Sequence, residues 1–261
     1  QELDHNFNHN IQSFRQVTLL EKKYVSYDGL NLSWETLDGL IKHNGPIQDP
    51  IHEYGLSKDF YFDSNKNPSL EAQIASISDD IAYIAHDFDD GIRSEILNLK
   101  ILSKYSTLFD FIDFDYLFSL NDKVARNYFT RQIINYLVLN LIKETELKLN
   151  NPKIEKHVDI INASEFYVGF SANISEQVAL MKSYLYEHFY TSDFVYNSRT
   201  HAEKILVFII NFLKENISEL PSSWKRKITD EQSKKQTIVD YVCGMTDQYA
   251  INFYKNYASK H

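Results

Sequence analysis

The sequence predicts an all-α protein, and three observations carry that expectation. Apolar residues recur at helical spacing through most of the 261 residues, as in Leu70, Ile74, Ile77, Ile81 and Ile84. Only 7 Gly and 5 Pro are present, too few to turn the many short strands of a sandwich or barrel. A doubly wound sheet would in addition want Gly-rich loops at its strand ends. At 43% hydrophobic and 24% charged, the composition is that of a globular chain.

Each element follows from local pattern. Ile11, Phe14, Val17 and Leu19 place a first helix from about His9 to Lys22, and Tyr27-Asp28-Gly29 is turn chemistry. Asn31 or Ser33 caps a helix from Trp34 to about His43, stopped by Asn44-Gly45-Pro46. Residues 44–67 show little period and form the longest loop of the first half. Asn67-Pro68-Ser69 then starts a helix, with Asn as cap and Pro in the first position, that runs to about Asp90, where Gly91 ends or kinks it. Arg93–Lys104 and Lys123–Leu149 read as helices on either side of the aromatic segment Phe109–Phe118. After the break at Asn150-Asn151-Pro152, Ile154–Ile161 is β-branched enough for a small strand. Ser164–Tyr190, Ser198–Asn216 and Thr229–Tyr257 complete the helices. The chain reads as one helical domain, or as one with a helical appendage after about residue 105.

Net charge is −9, which argues against a broad nucleic-acid or membrane surface but leaves room for a small anionic substrate. No apolar stretch reaches the ~18–20 residues of a membrane span, and Gln1–Asn10 does not resemble a signal peptide, so a soluble cytoplasmic protein is expected. The single cysteine, Cys243, excludes a disulfide framework and a Cys-based zinc cage; its neighbours Val239, Tyr241 and Val242 point to a buried core thiol.

The helix from Pro68 to Asp90 carries the chemistry. Its apolar stripe places Ile74, Ile77, Ile81 and Ile84 in the core. At about 100° per residue the other side presents Asp79, Tyr83, His86, Asp87 and Asp90 together. A solvated acidic face is one reading. The other is a pocket wall, because the stripe carries no Lys or Glu pairs and sets a Tyr among carboxylates. An Asp facing a pocket suits a hard divalent cation. Other segments leave two readings each. His43 sits at a helix C-terminus, where the dipole favours it, or lines a substrate pocket. His52 and Glu53 lie in the long loop without a recognisable spacing. Lys225-Arg226-Lys227, with Lys234-Lys235, is a solvated loop or an anion site. Tyr184, Tyr186, Phe189 and Tyr190 are explained by packing.

Several blocks together resemble a known family. They are Gly29-Leu30-Asn31-Leu32-Ser33-Trp34-Glu35-Thr36-Leu37, Lys42-His43-Asn44-Gly45-Pro46, and Ser69-Leu70-Glu71-Ala72-Gln73-Ile74. With them stand Asp79-Asp80-Ile81-Ala82-Tyr83, His86-Asp87-Phe88-Asp89-Asp90-Gly91, Asp240-Tyr241 and Gly244-Met245-Thr246-Asp247. The combination resembles the bacterial deoxyguanosine triphosphate triphosphohydrolase-like proteins of the HD-domain superfamily.

The resemblance implies an HD-domain-like helical bundle with a helical C-terminal extension. Residues 1–105 would be the C-terminal part of the phosphohydrolase core and 106–261 the helical C-terminal region. It implies hydrolysis of a deoxynucleoside triphosphate to deoxynucleoside and triphosphate by a metal-activated water, and a homo-oligomer. In the family an Asp metal ligand precedes a Tyr by four residues and a second Asp by eight, both contacting substrate. Asp79, Tyr83 and Asp87 match that spacing. The other ligands of the divalent metal (Mg, Mn or Co), a His and a His-Asp pair, are expected upstream of Gln1. His5-Asn6-Phe7-Asn8-His9-Asn10 resembles the family's Phe-Glu-His-Asn segment, which makes His9 the catalytic candidate; a capping or surface His is its plain alternative. The expectation is that Asp79, Tyr83 and Asp87 line one pocket within reach of His9. The rival function is a catalytically inert or regulatory nucleotide-binding remnant.

Overall fold

The computed structural model describes residues 8–43, 66–105 and 107–258. Among these residues all regular structure is helical, as expected. The α-helices are α1 (His9–Arg15), α2 (Trp34–Ile41), α3 (Leu70–Arg93), α4 (Leu99–Leu102), α5 (Phe114–Ser119) and α6 (Asp122–Leu149). They continue with α7 (His157–Ile161), α8 (Ala172–Leu185), α9 (Asp193–Glu215), α10 (Ser222–Lys225), α11 (Glu231–Cys243) and α12 (Asp247–Ala258). No helix among the described residues is long and apolar enough to cross a membrane. The chain packs as two compact units, one of residues 1–31 with 193–261 and one of residues 32–192.

In the first unit Asn8 caps α1 by accepting from the Asn10 and Ile11 amides, and the helix widens into a π-turn over Gln16–Leu20. Gly29 returns the chain at φ 73°, where a Cβ would stand 2.5 Å from the Thr18 carbonyl oxygen, so the position admits only glycine. Ile205, Ile209, Phe212 and Leu213 of α9 form the core with Ile238 and Tyr241 of α11 and Phe253 of α12. The expected continuous helix Thr229–Tyr257 is two. Gly244 ends α11, and Thr246 restarts the chain by accepting the Tyr249 amide. The break leaves Cys243 exposed in the last turn of α11 rather than in the core.

In the second unit α3 packs on α6 and α8 through Ile81, Ile84, Ala85 and Phe88. Phe88 is fully buried among Phe109, Phe129 and Tyr184, with ring centroids 5.4, 5.9 and 6.1 Å away. Burial of each such side chain stabilises by roughly 1.5–3 kcal/mol. Two buried amides tie loops to this core. Gln73 donates to the Pro68 carbonyl and accepts from the Tyr167 and Val168 amides; Gln177 donates to the Thr107 and Leu108 carbonyls and accepts from the Tyr136 hydroxyl.

Several local expectations are corrected here. Ser69, not Asn67, caps α3; Asn67 is buried and its amide donates to the Ala163 and Glu165 carbonyls. Gly91 does not end α3, which runs to Arg93; the missing side chain instead admits Leu97. The segment Arg93–Lys104 is not one helix, since Glu95 takes a left-handed φ of 61° and only Leu99–Leu102 is helical. Ile154–Ile161 forms no strand; His157–Ile161 is helical, because the Asp159 carboxylate accepts from the Lys156 amide and closes a cap. Residues 164–171 are not helical and α8 begins at Ala172. Ile74 is 42% exposed, one turn short of the depth that buries Ile81 and Ile84.

Candidate functional site

Helix α3 carries five aspartates on its middle and last turns, and the fold sorts them. Asp80 pairs with Lys182 of α8 at 2.9 Å. Asp89 takes the Arg126 Nε at 3.0 Å and the Thr130 hydroxyl at 3.2 Å, both on α6. Asp90 pairs with Arg93 one turn on. These three hold helices together or neutralise a helix end. Among the described residues Asp79 and Asp87 have no Lys or Arg partner of this kind.

Asp87 is half-buried and accepts a hydrogen bond from the Tyr190 hydroxyl on Oδ2. Burial pushes its pKa above the usual carboxylate range, the Tyr190 bond pulls it back, Asp90 adds to the rise, and Tyr83 and His86 oppose it. The same burial and the same bond push the Tyr190 hydroxyl far up, so it stays a donor. Tyr83, 52% exposed, sets its ring 6.1 Å from that of Tyr190. Tyr83, Asp87 and Tyr190 therefore form one cluster with an open side. Packing was the expected role of Tyr190. The signal that finds it is geometric: α8 ends in a π-turn over Tyr186–Tyr190, which buries Phe189 and carries Tyr190 to α3.

Asp79 stands apart from that cluster. Its side chain is 76% exposed, and the His43 Nε2 lies 3.7 Å from its Oδ2. Ser76 fixes the end of α2 by donating to the His43 carbonyl at 2.8 Å. His43 also lines a cavity of about 500 Å³ with Gly39, Leu40, Ala72, Ala75 and His157, and Asp79, Tyr83 and Asp87 are not among its walls. Close approach of α2 to α3 makes that hollow, since a Cβ on Gly39 would stand 2.9 Å from the Ala72 Cβ.

His9 belongs to the first unit and is exposed at the start of α1, beside a cavity of about 610 Å³ that Gln12, Gln16 and Cys243 also line. Partial burial and the charge of Asp240 push the Cys243 thiol pKa up. The basic cluster at Lys225–Lys227 is partly engaged: Lys225 donates to the Ser218 carbonyl at 3.0 Å, and the Lys227 ammonium sits 4.5 Å over the Trp224 ring. Burial and the nearby Lys22 draw the Lys227 pKa down. His5, His52 and Glu53 lie outside the described residues.

Among the described residues no three His, Cys, Asp or Glu side chains come together as a metal site. The pair Asp79 and His43 alone does not fit a catalytic ion, which normally takes three protein ligands.

Comparison with known proteins decides the kinship. A protein of Rickettsia canadensis (strain McKiel), described as a deoxyguanosinetriphosphate triphosphohydrolase-like protein, is 36% identical over 259 residues, covering 95% of this chain and 68% of its own length. The chain belongs to the deoxyguanosinetriphosphate triphosphohydrolase-like family. A protein of the same description from Rickettsia prowazekii (strain Madrid E) is 35% identical over 98% of this chain and 68% of its own length. One from Brucella anthropi is 35% identical over 94% of this chain and 64% of its own. Residues 168–256, which hold α8 through most of α12, match the model of a phosphohydrolase-associated domain. This triphosphohydrolase-like chain thus spans about two thirds of such relatives.

Proposed function

We propose that this chain supplies the substrate-binding part of a deoxynucleoside triphosphate triphosphohydrolase with a dGTP-like substrate. Similarity to triphosphohydrolase-like proteins over 95% of the chain, α3 included, carries the reading. The sorting of aspartates on α3 supports it from an independent direction. In this reading Tyr190 occupies one oxygen of Asp87, so the other accepts from a sugar hydroxyl, while the exposed Tyr83 ring packs against the sugar. Asp79 is one donor to a divalent ion (Mg²⁺, Mn²⁺ or Co²⁺), and the remaining donors come from residues outside those described. His9, in the first unit, is the catalytic candidate that the family resemblance supplies. The assembly is a homo-oligomer, and the net charge of −9 argues against a membrane or a broad nucleic-acid surface as a partner.

The test is triphosphate release from each dNTP with Mg²⁺, Mn²⁺ or Co²⁺, using this chain and a version extended upstream. The chain of 261 residues should turn over near background and bind no stoichiometric metal. The extended protein should be active, lose turnover with Asp79→Ala, and bind substrate more weakly with Tyr83→Phe. Strong metal-dependent release from the 261-residue chain would mean that the ligands are elsewhere, with His5, His9, His43 and His86 the first to examine. A second reading is an inert or regulatory nucleotide-binding element. An extended protein that binds dGTP and never hydrolyses it would establish that reading.

A further inference from the structure

The end of α3, α4, the end of α5 and the first turns of α6 enclose a cavity of about 1040 Å³. Tyr83, Asp87 and Tyr190 are not among its walls. Four cationic side chains are: Arg93 of α3, Lys100 of α4, and Lys123 and Arg126 of α6. Two carboxylates, Glu95 and Asp122, share the wall, which leaves two positive charges in excess within a chain of net charge −9. Lys100 and Lys123 are exposed, and neither has an ion-pair partner among the described residues. The two guanidiniums are only partly engaged. Arg93 meets Asp90 through Nη2 at 2.6 Å, with both ends more than half exposed, and such surface pairs are weak. The Arg126 Nε lies 3.0 Å from Asp89 Oδ1, yet it is buried without the alignment of a hydrogen bond. Donors of this side chain therefore remain unused.

We propose that this cavity binds a free oligophosphate, a chain of phosphate groups without a nucleoside. The set of cations carries the inference. A guanidinium grips two phosphate oxygens at once, and an ammonium adds a mobile point charge. Lys123 and Arg126 stand one turn apart on α6, a like-charge pair that an isolated helix disfavours and that a polyanion turns into an attraction. A carboxylate would bring one charge to four cations and leave most of them unanswered. A single phosphate would fill a small part of the hollow, whereas a chain of them offers each cation its own oxygens. The same chain is also the tail of a nucleotide, and the wall holds one exposed ring, Phe118, that a base could stack on. The free chain is favoured because the proposed reaction releases inorganic triphosphate. Only that source rests on the hydrolase reading. The site itself does not, and binding is read in a chain that need not turn over, so the two can fail separately.

Calorimetric titration of the 261-residue chain with sodium triphosphate, free of divalent metal and at low salt, tests the site. Triphosphate should bind, and bind more weakly as salt rises, because exposed charges make the contacts. Lys100→Gln combined with Lys123→Gln should lower the affinity by about tenfold or more. Helical circular dichroism and the thermal melt should stay unchanged in that variant, because both side chains are exposed. Glu95→Gln should strengthen binding by removing a repelling carboxylate from the wall. Asp87→Asn should leave it as it is, since Asp87 is not part of the wall. Neither dGTP in place of triphosphate nor Phe118→Ala should alter the affinity of this site. Absence of binding at about 1 mM triphosphate would overturn the proposal. So would an affinity indifferent to the lysine pair, or one lost with Asp87→Asn. A preference for dGTP of about tenfold that Phe118→Ala removes would overturn it in favour of a nucleotide.

Discussion

Removing the Asp240 carboxylate should unfold the unit built from the two ends of the chain while leaving the other unit in place. Asp240 is almost wholly buried on α11. It accepts from the Arg15 guanidinium at 2.6 and 3.2 Å, from Gln12 at 3.2 Å and from Gln236 at 2.9 Å. Two of those three partners lie on α1, so this one side chain pins the N-terminal helix to the C-terminal helices. Asp240→Ala leaves a guanidinium and two amides facing a hole. Breaking a buried pair costs about 3–5 kcal/mol; Arg15 is a quarter exposed and water reaches it, so the low end, about 3 kcal/mol, applies. For a domain of 60–100 residues that lowers Tm by roughly 12–24 °C. The two tryptophans make the assay local. Trp224 packs edge-on against Tyr241, next to Asp240, whereas Trp34 is in the other unit. In a Trp34→Phe background, fluorescence during urea unfolding reports the first unit alone. A loss below about 1 kcal/mol, within the range of an ordinary surface change, would refute the argument. So would a double-mutant cycle with Arg15→Met in which the two losses simply add, because side chains in direct contact must couple.

Three further outcomes follow from single contacts. Gly91→Ala should destabilise by about 1 kcal/mol despite better helix propensity, because the new Cβ would lie 2.5 Å from Leu97 Cδ1; Leu97→Ala should relieve the clash and make the pair less than additive in urea melts. Tyr190→Phe should raise the Asp87 titration midpoint, seen by carboxyl ¹³C NMR, since the donor that favours the charged carboxylate is gone while burial stays; an unmoved midpoint would dissolve the cluster. Asp230 caps α11 through the Ser233 amide, which holds its folded pKa below 3.8. Its contribution is therefore complete above pH 3.8 and is lost as pH falls through the folded value. Thermal melts from pH 5 downward should fall more steeply for wild type than for Asp230→Asn, which keeps the acceptor and does not titrate.

The helices were legible where one stretch of chain decides them. Ser33 before Trp34, Phe129 to Leu141 at intervals of four, and the turn at Gly29 each act on neighbours within a turn or two. The misreadings share another cause. Asn67 has the chemistry of a cap, and the chain uses it to hold carbonyls almost a hundred residues away. Cys243 stands in apolar company, yet the break at Gly244 puts it in the last turn of α11, where it is exposed. A local pattern says what a residue can bond, whereas distant chain decides what it does bond.

The acidic stripe of α3 shows why the site was only half readable. Helical phase groups Asp79, Tyr83, His86, Asp87 and Asp90 on one side, but phase treats all carboxylates alike. The fold separates them through Lys182, Arg126, Thr130 and Tyr190, each supplied by another helix or by the turn that ends one. A carboxylate clamped by a cation is stabilised in its charged form and has little left to offer a ligand. One held only by neutral tyrosine hydroxyls keeps a raised pKa, so binding a further donor relieves it. That difference sets Asp87 apart from Asp89, two residues further along the same helix. In the proposed function that further donor belongs to a nucleotide, and the Asp87 titration in Tyr190→Phe, read with and without dGTP, separates a ligand-binding carboxylate from one that merely packs.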